Sequence, residues 1–384
     1  MKDLKVKKAF EEIFGGDYRF FAAPGRINLI GEHTDYNEGF VLPAAIDKNI
    51  YLAIAPLKGP LAKITALDLN ESVDIAIYEQ KVKIPQWAKY PYGVVKEMQA
   101  RGYFLEGFQA VFAGDIPKGA GLSSSAALES AFAQALNQLY KLGMDKMTLA
   151  KVGQGAEHNY AGVHCGIMDQ FASFFGKKGH VMQLDCRSLD YKYYPLPMDG
   201  YELWLTDTRV KHSLASSAYN QRREQCEEGV RILAQNMPDV KSLRDVKPGE
   251  ILANKEHMGE EVFMRCEYVT EENQRVLETC QALEKGDMKK TGELMFASHQ
   301  GLRHKYHVSC DELDLLADTA RQTEGVMGAR MMGGGFGGCT INLVQTGAVD
   351  AFKEKSSNAF EKAFGKPPVF YNVTISDGVK EIKE

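Results

Sequence analysis

The run Pro117-Lys118-Gly119-Ala120-Gly121-Leu122-Ser123-Ser124-Ser125 constrains this chain more than any other feature. It lies between a strand candidate, Gln109 to Ala113, and a strong helical pattern. In that pattern Leu128, Ala131, Phe132, Ala135, Leu136 and Leu139 recur at helical spacing and stop near Gly143. Glycines ahead of a helix start let the backbone approach closely, turn N–H groups outward and put a favourable dipole behind them. Serine hydroxyls add further donors, so the segment suits a phosphate. The usual nucleotide loop, G-x-x-x-x-G-K-[ST], occurs nowhere in the chain. A serine-capped helix after a flexible turn would use the same groups, and the local pattern leaves both readings open.

A second segment, Pro24 to Asn37, packs Arg26, Glu32, His33 and Asp35 into ten positions. Polar groups crowded on one tight turn suit a hydroxyl-rich ligand, because each hydroxyl both donates and accepts. The alternative is a solvated hairpin with an incidental ion pair. Metal chemistry at Glu32-His33 is disfavoured, since no H-E-x-x-H occurs. Glu157 and Asp169 form an acid pair flanking Asn159 to Met168, with Gln170 next. One such carboxylate can hold Mg²⁺ beside phosphates, and another can accept a proton from an attacking hydroxyl. Either acid taken singly reads more simply as a charge held in water at the surface. Cys165, between them, has no activating neighbour and reads as buried packing.

Gly333 to Gly338 matches G-x-G-x-x-G by letter. The dinucleotide fingerprint must follow a strand and open a helix, whereas the strand-like Cys339 to Leu343 follows here. NAD binding is therefore rejected. Five glycines in six positions still require a backbone packed closely on a ligand or on another loop.

The rest of the pattern is mixed, and the predicted class is α+β. Strands are expected within Tyr18 to Ile77, at His180 to Asp185, Tyr201 to Thr206 and Val369 to Ile375. Helices are expected at Lys146 to Ala161, Ser213 to Asn236, Glu261 to Glu284, Met288 to His304, Cys310 to Thr323 and Val349 to Phe364, with Ser309 and Glu312 as a capping box. A chain of 384 residues predicts two domains, 1–197 and 198–384, with Tyr191 to Gly200 as the crossing. The formal charge is -5, with no basic stripe, which argues against nucleic acid. Seven cysteines without C-x-x-C spacing argue against a zinc site or a disulfide framework. Met1 to Phe14 is neither a signal-peptide core nor a transit segment, and no apolar run is long enough to span a membrane. A cytoplasmic protein is expected; the oligomeric state is left open, with a monomer slightly favoured.

Together these segments resemble the galactose-, homoserine-, mevalonate- and phosphomevalonate-kinase superfamily, and within it the galactokinase family. Pro24 to Asn37 resembles the family signature; Pro117 to Ser125, continued by Ala126-Ala127-Leu128-Glu129, resembles the ATP loop. Gly166-Ile167-Met168-Asp169-Gln170 resembles the catalytic motif, Arg330 to Cys339 the C-terminal glycine motif, and His212 to Ser217 with Tyr219 a further stretch. Departures are Ile27 for valine, Glu38 for glycine and Met332 for threonine.

The resemblance implies two α+β domains with the active site in the cleft between them, and transfer of a phosphoryl group from ATP to the C1 hydroxyl of galactose. Gly119, Ala120, Gly121, Leu122, Ser123, Ser124 and Ser125 would wrap the ATP phosphates, with Ser125 and Glu157 holding Mg²⁺. Glu32, His33, Thr34, Asp35, Gly166 and Tyr219 would contact the sugar. Asp169 would accept the hydroxyl proton, oriented by Arg26. A kinase for N-acetylgalactosamine, another kinase of the superfamily and a non-catalytic sugar sensor are the alternatives. The unbroken serine loop and the presence of Asp169 speak against the sensor.

Overall fold

Arg19–Asn28 forms a strand that is buried at every position after the first. Such a strand must be covered on both faces, so its apolar run is continuous and does not alternate. A computed structural model of the protein, describing residues 2–80, 82–117, 119–211 and 215–383, shows what covers it. The stretch His212 to Leu214 and Lys118 fall outside the described residues.

Along the chain, α1 (Lys2–Ile13) precedes β1 (Arg19–Asn28), β2 (Phe40–Val41), β3 (Pro43–Leu57), β4 (Leu61–Ala66) and β5 (Glu71–Ala76). Then follow α2 (Lys89–Ala100), β6 (Gly107–Gly114), α3 (Ser124–Leu139), α4 (Lys146–Ala156), α5 (Met168–Phe175), β7 (His180–Asp185), β8 (Tyr191–Pro195) and β9 (Tyr201–Lys211). The remainder is α6 (Ala215–Asn236), α7 (Pro248–Ala253), α8 (Lys255–Met258), α9 (Glu260–Glu284), α10 (Met288–Gly301), α11 (Asp311–Arg321), β10 (Val326–Met331), β11 (Gly337–Gln345), α12 (Val349–Phe364), β12 (Val369–Val373) and β13 (Lys380–Glu381).

A six-stranded sheet runs in the order β13-β1-β3-β6-β4-β5, antiparallel except where β4 meets β6. Helix α1 covers one face, with Val6 and Phe10 packed on Phe20, Ala53 and Val111. Helices α3 and α5 cover the other face. Full burial of a side chain such as Phe10 contributes about 2–3 kcal/mol. The second half of the chain supplies a four-stranded antiparallel sheet, β10-β11-β9-β12, and β2-β7-β8 form a smaller one. The fold is α+β. A division after residue 197 remains our proposal for the domain boundary; it falls between these sheets, although β13 crosses back to pair with β1.

Local details differ from the sequence pattern in four places. Tyr191–Pro195 is a strand paired with β7, so only residues 196–200 act as a connector. Helix α4 ends at Ala156 and is extended by one wide π-type turn, Glu157–Ala161, a distortion that often re-aims side chains near active sites. The expected capping box does not form: Cys310 is the N-cap, and the Ser309 hydroxyl bonds Asp314 at 2.5 Å. Helix α2, not marked by periodicity, holds Pro91 in its first turn, where proline is tolerated, and Gly93 against Ala156.

Helix α10 lies against β10 with Gly292 facing Gly328. A methyl group at Gly292 would overlap the Met327 carbonyl, which is backbone and cannot swing aside. Gly292→Ala is therefore expected to lower unfolding stability by at least about 2 kcal/mol through overpacking, as measured by urea denaturation.

Candidate active site

Asp169 opens α5 and its carboxylate is held from two sides. Arg26 Nε donates to Oδ1 at 2.7 Å, and the Ser123 hydroxyl donates to Oδ2. Arg26 also donates through Nη1 to the Gly121 carbonyl and through its amide to the Leu122 carbonyl at 3.3 Å. Strand β1, the serine loop and α5 thus meet at one buried guanidinium. Gly25 permits the approach, since a Cβ there would lie 2.8 Å from the Leu122 carbonyl.

Two cavities flank this point. One of about 360 Å³ is lined by Glu32, His33, Asp35, Gly166, Asp169 and Tyr219, among others. The other, about 280 Å³, is lined by Pro117, Gly119, Gly121, Leu122 and Ser123 to Ser125. Arg26, Gly333 and Gly334 belong to both walls. Ser123 takes left-handed backbone angles (φ 54°, ψ 54°) and makes no capping bond to α3. The serine-cap alternative therefore fails, and the hydroxyl that capping would have used goes to Asp169. The side chains of Ala120 and Leu122 turn into the core, so only their backbone faces the loop. The glycine cluster is the turn of the β10–β11 hairpin, confirming strand–loop–strand order. Its Gly335 packs on Val308, and its Gly333 faces Gly121.

The loop between β1 and β2 carries the other polar residues. Glu32 Oε1 accepts from the Gly333 amide at 2.8 Å and from both terminal nitrogens of Arg330 at 3.2 Å. Arg330 also donates to the carbonyls of Leu29 and Asn28. From α9, Glu272 Oε1 accepts from the Gly31 amide and Asn273 Oδ1 from the Phe40 amide, each at 2.9 Å. Thr34 is fully buried, and its hydroxyl shares its one proton between the carbonyls of Gly31 (2.9 Å) and Phe40 (2.6 Å); it does not line the cavity. Asp35 presses on Gly166, where a Cβ would collide with its carboxylate. Ser125 lines the smaller cavity, whereas Glu157 lines neither. Cys165 is not simple packing: its thiol donates to Glu157 Oε2 at 2.8 Å.

The chain matches three family models: the galactokinase galactose-binding signature over residues 8–56, the GHMP kinases N terminal domain over 89–177, and the GHMP kinases C terminal domain over 280–362. It is 42% identical over 360 residues to galactokinase of Thermotoga maritima, covering 94% of this chain and 99% of the relative. It is 39% identical over 389 residues to galactokinase of Bacillus subtilis, covering 99% of each. This chain belongs to the galactokinase family. Among solved structures, Lactococcus lactis galactokinase complexed with galactose superposes with a TM-score of 0.94 at 35% identity, covering 98% of each chain. Mevalonate kinase of Methanococcus jannaschii, at 18% identity and a TM-score of 0.64 over 94% of this chain and 99% of its own, shares the fold.

Electrostatics in this galactokinase-family site separate its ionisable groups. Burial pushes the His33 imidazole down to about 3, and nearby Arg222 and Arg330 push the same way, so it is neutral in the working range. Its Nδ1 lies 2.8 Å from Tyr36 Oη, which in turn lies 2.8 Å from Tyr306 Oη. Burial, aided by the Asp169 charge, raises Asp35 to about 6. Burial raises Cys165, with Glu157 adding to it, so the thiol stays protonated and donates. Sequence reading missed Glu272 and Asn273, and gave Glu129, Arg330 and Gln170 no role of their own. The last three lay inside motifs already noted, so their position was visible but not their partners.

The Arg330–Glu32 pair is buried, with side-chain exposures of 0% and 3%. Removing one partner of such a pair strands a charge in the interior. Arg330→Met is expected to cost about 3–5 kcal/mol in urea unfolding. A loss below about 1 kcal/mol, within the range of surface pairs, would contradict that account.

Proposed function

We propose that this chain transfers the γ-phosphoryl group of ATP to the C1 hydroxyl of galactose. One observation carries the reading: Asp169 lies in the wall of the larger cavity while bonded to Ser123, which lines the smaller one. A hydroxyl in the first cavity and a phosphate in the second would meet at this carboxylate. The family membership supports galactose as the sugar, as does the galactose named in the Lactococcus complex.

Phosphoryl transfer passes through a loose transition state, so the protein's work is positioning and charge neutralisation. Glu32, His33, Asp35, Gly166 and Tyr219 line the sugar side. Glu32 has one oxygen committed to Arg330 and Gly333, which fixes its orientation. His33, being neutral, offers one donor and one acceptor. The glycines and serines from Gly119 to Ser125 face the phosphates. Asp169 accepts the hydroxyl proton late, because both its oxygens are already engaged by Arg26 and Ser123. Arg26 orients Asp169 and balances charge on the transferring group.

Ser125 and Glu157 fit a magnesium ion in chemistry. Glu157 is 5% exposed, yet it accepts only from neutral groups and has no ion pair among the described residues. The neighbouring Glu129 has a buried oxygen without a hydrogen-bond partner among the described residues. No group of three or more His, Cys, Asp or Glu could hold a metal among the described residues, so phosphate oxygens would complete the shell. Bound there, the ion would neutralise phosphate charge.

Asp169→Asn is expected to keep galactose binding within about twofold while turnover falls by about 10³-fold, the scale of a lost general base. A coupled ATP-consumption assay over galactose, N-acetylgalactosamine, glucose and mevalonate should respond to galactose; consumption with mevalonate alone would reject the substrate. A pH series tests Asp35. The groups facing it are Asp169 and Glu32, which raise it, Arg26, and the Tyr36 amide, which lowers it. As an acid raised to about 6, it is a carboxylate above that pH and protonated below. Galactose affinity, measured calorimetrically without nucleotide, should therefore fall as pH drops through about 6, and Asp35→Asn should flatten that step.

A further inference from the structure

We infer that Gln170 is a positioning residue for the cation, holding Glu157 in the orientation that a phosphate-bound divalent ion requires. It follows Asp169 in the first turn of α5 and is fully buried. Its side-chain nitrogen donates to Glu129 Oε2 at 2.9 Å and to Glu157 Oε2 at 3.1 Å. Glu129 sits on α3, the helix that begins at the serine loop, and Glu157 begins the wide turn after α4. A single amide nitrogen thus ties the phosphate-loop helix, the base helix and the cation carboxylate to one point.

The geometry commits one oxygen of Glu157 and spares the other. Oε2 receives both Gln170 and the Cys165 thiol at 2.8 Å. Oε1 has no protein hydrogen bond among the described residues, so its lone pairs remain available. Two donors on one oxygen fix the carboxylate plane, and outer partners of this kind set metal affinity by orienting the inner ligand. Gln170 is suited to the task because its donor is neutral. An arginine or lysine there would cancel the charge that the cation needs, and an apolar residue would leave two buried carboxylates facing each other without a donor between them. The backbone makes room for this arrangement. A Cβ on Gly153 of α4 would lie 2.9 Å from Gln170 Cγ and 3.4 Å from Glu129 Oε2.

This inference rests on the assignment of Glu157 to the cation, and the test separates the two. Mn²⁺ binding in the presence of a non-hydrolysable ATP analogue and galactose is titrated by electron paramagnetic resonance. The proteins compared are the unmodified chain, Glu157→Gln, Gln170→Leu and Gln170→Glu. Galactose affinity without nucleotide and melting temperature are recorded for each. Both Gln170 variants are expected to weaken Mn²⁺ by about tenfold or more, the usual scale for an outer-shell partner, with galactose affinity changed less than about twofold. Unchanged Mn²⁺ affinity in Gln170→Glu, or losses of Mn²⁺ and galactose in equal proportion, would overturn the positioning role. If Glu157→Gln itself binds Mn²⁺ normally, the cation assignment falls and takes the inference with it. Should Gln170→Leu not fold, Gln170→Glu keeps the side-chain shape and decides the matter alone.

Discussion

The buried guanidinium of Arg26 joins three parts of the chain that sequence keeps far apart. It comes from β1, holds Asp169 at 2.7 Å from α5, and donates to the carbonyl of Gly121 in the serine loop. Burial opposes its charge, but the carboxylates of Asp169, Glu32 and Asp35 outweigh that cost and keep it ionised. A charged group inside a protein persists only with such partners. Its presence near the end of the buried strand β1 therefore dictates where α5 and the loop must come to rest.

A second buried cation, Arg330, performs the same service for the loop between β1 and β2. It gathers the carbonyls of Asn28 and Leu29 with the Glu32 carboxylate, while α9 holds the amides of Gly31 and Phe40. The loop is thus clamped by residues some two hundred to three hundred positions later in the chain. Glu38, the departure from glycine in this loop, adopts left-handed backbone angles (φ 57°) and pairs with Arg187 at 2.8 Å. The strain of a non-glycine residue there, about 1–2 kcal/mol, is partly offset by that contact.

Much of the site was legible beforehand because its motifs are local. The serine loop sits between β6 and α3 as its pattern required, and the third glycine cluster is a hairpin turn because a strand follows it. Periodicity found α3, α9 and α12 because each buries one face or more against a core. It did not mark α2, which packs against α4 through the close approach of Gly93 to Ala156. The capping-box pattern at Ser309 failed for a similar reason: a nearby acceptor, Asp314, took the hydroxyl instead. The resemblance implied Thr34 as a sugar contact, yet its hydroxyl serves to close the loop on itself.

By itself the order of residues determined the α+β class, the phosphate-suited loop, the polar turn and the acids available for chemistry. Those properties follow from composition and spacing within ten or so residues, which backbone geometry and propensity control directly. Tertiary structure alone decided that Ser123 turns to Asp169, that Arg330 rather than solvent satisfies Glu32, and that Gln170 spans two carboxylates. Each of those pairings joins residues of different elements. A buried polar atom takes whichever partner packing brings within reach, and local sequence holds no record of that partner.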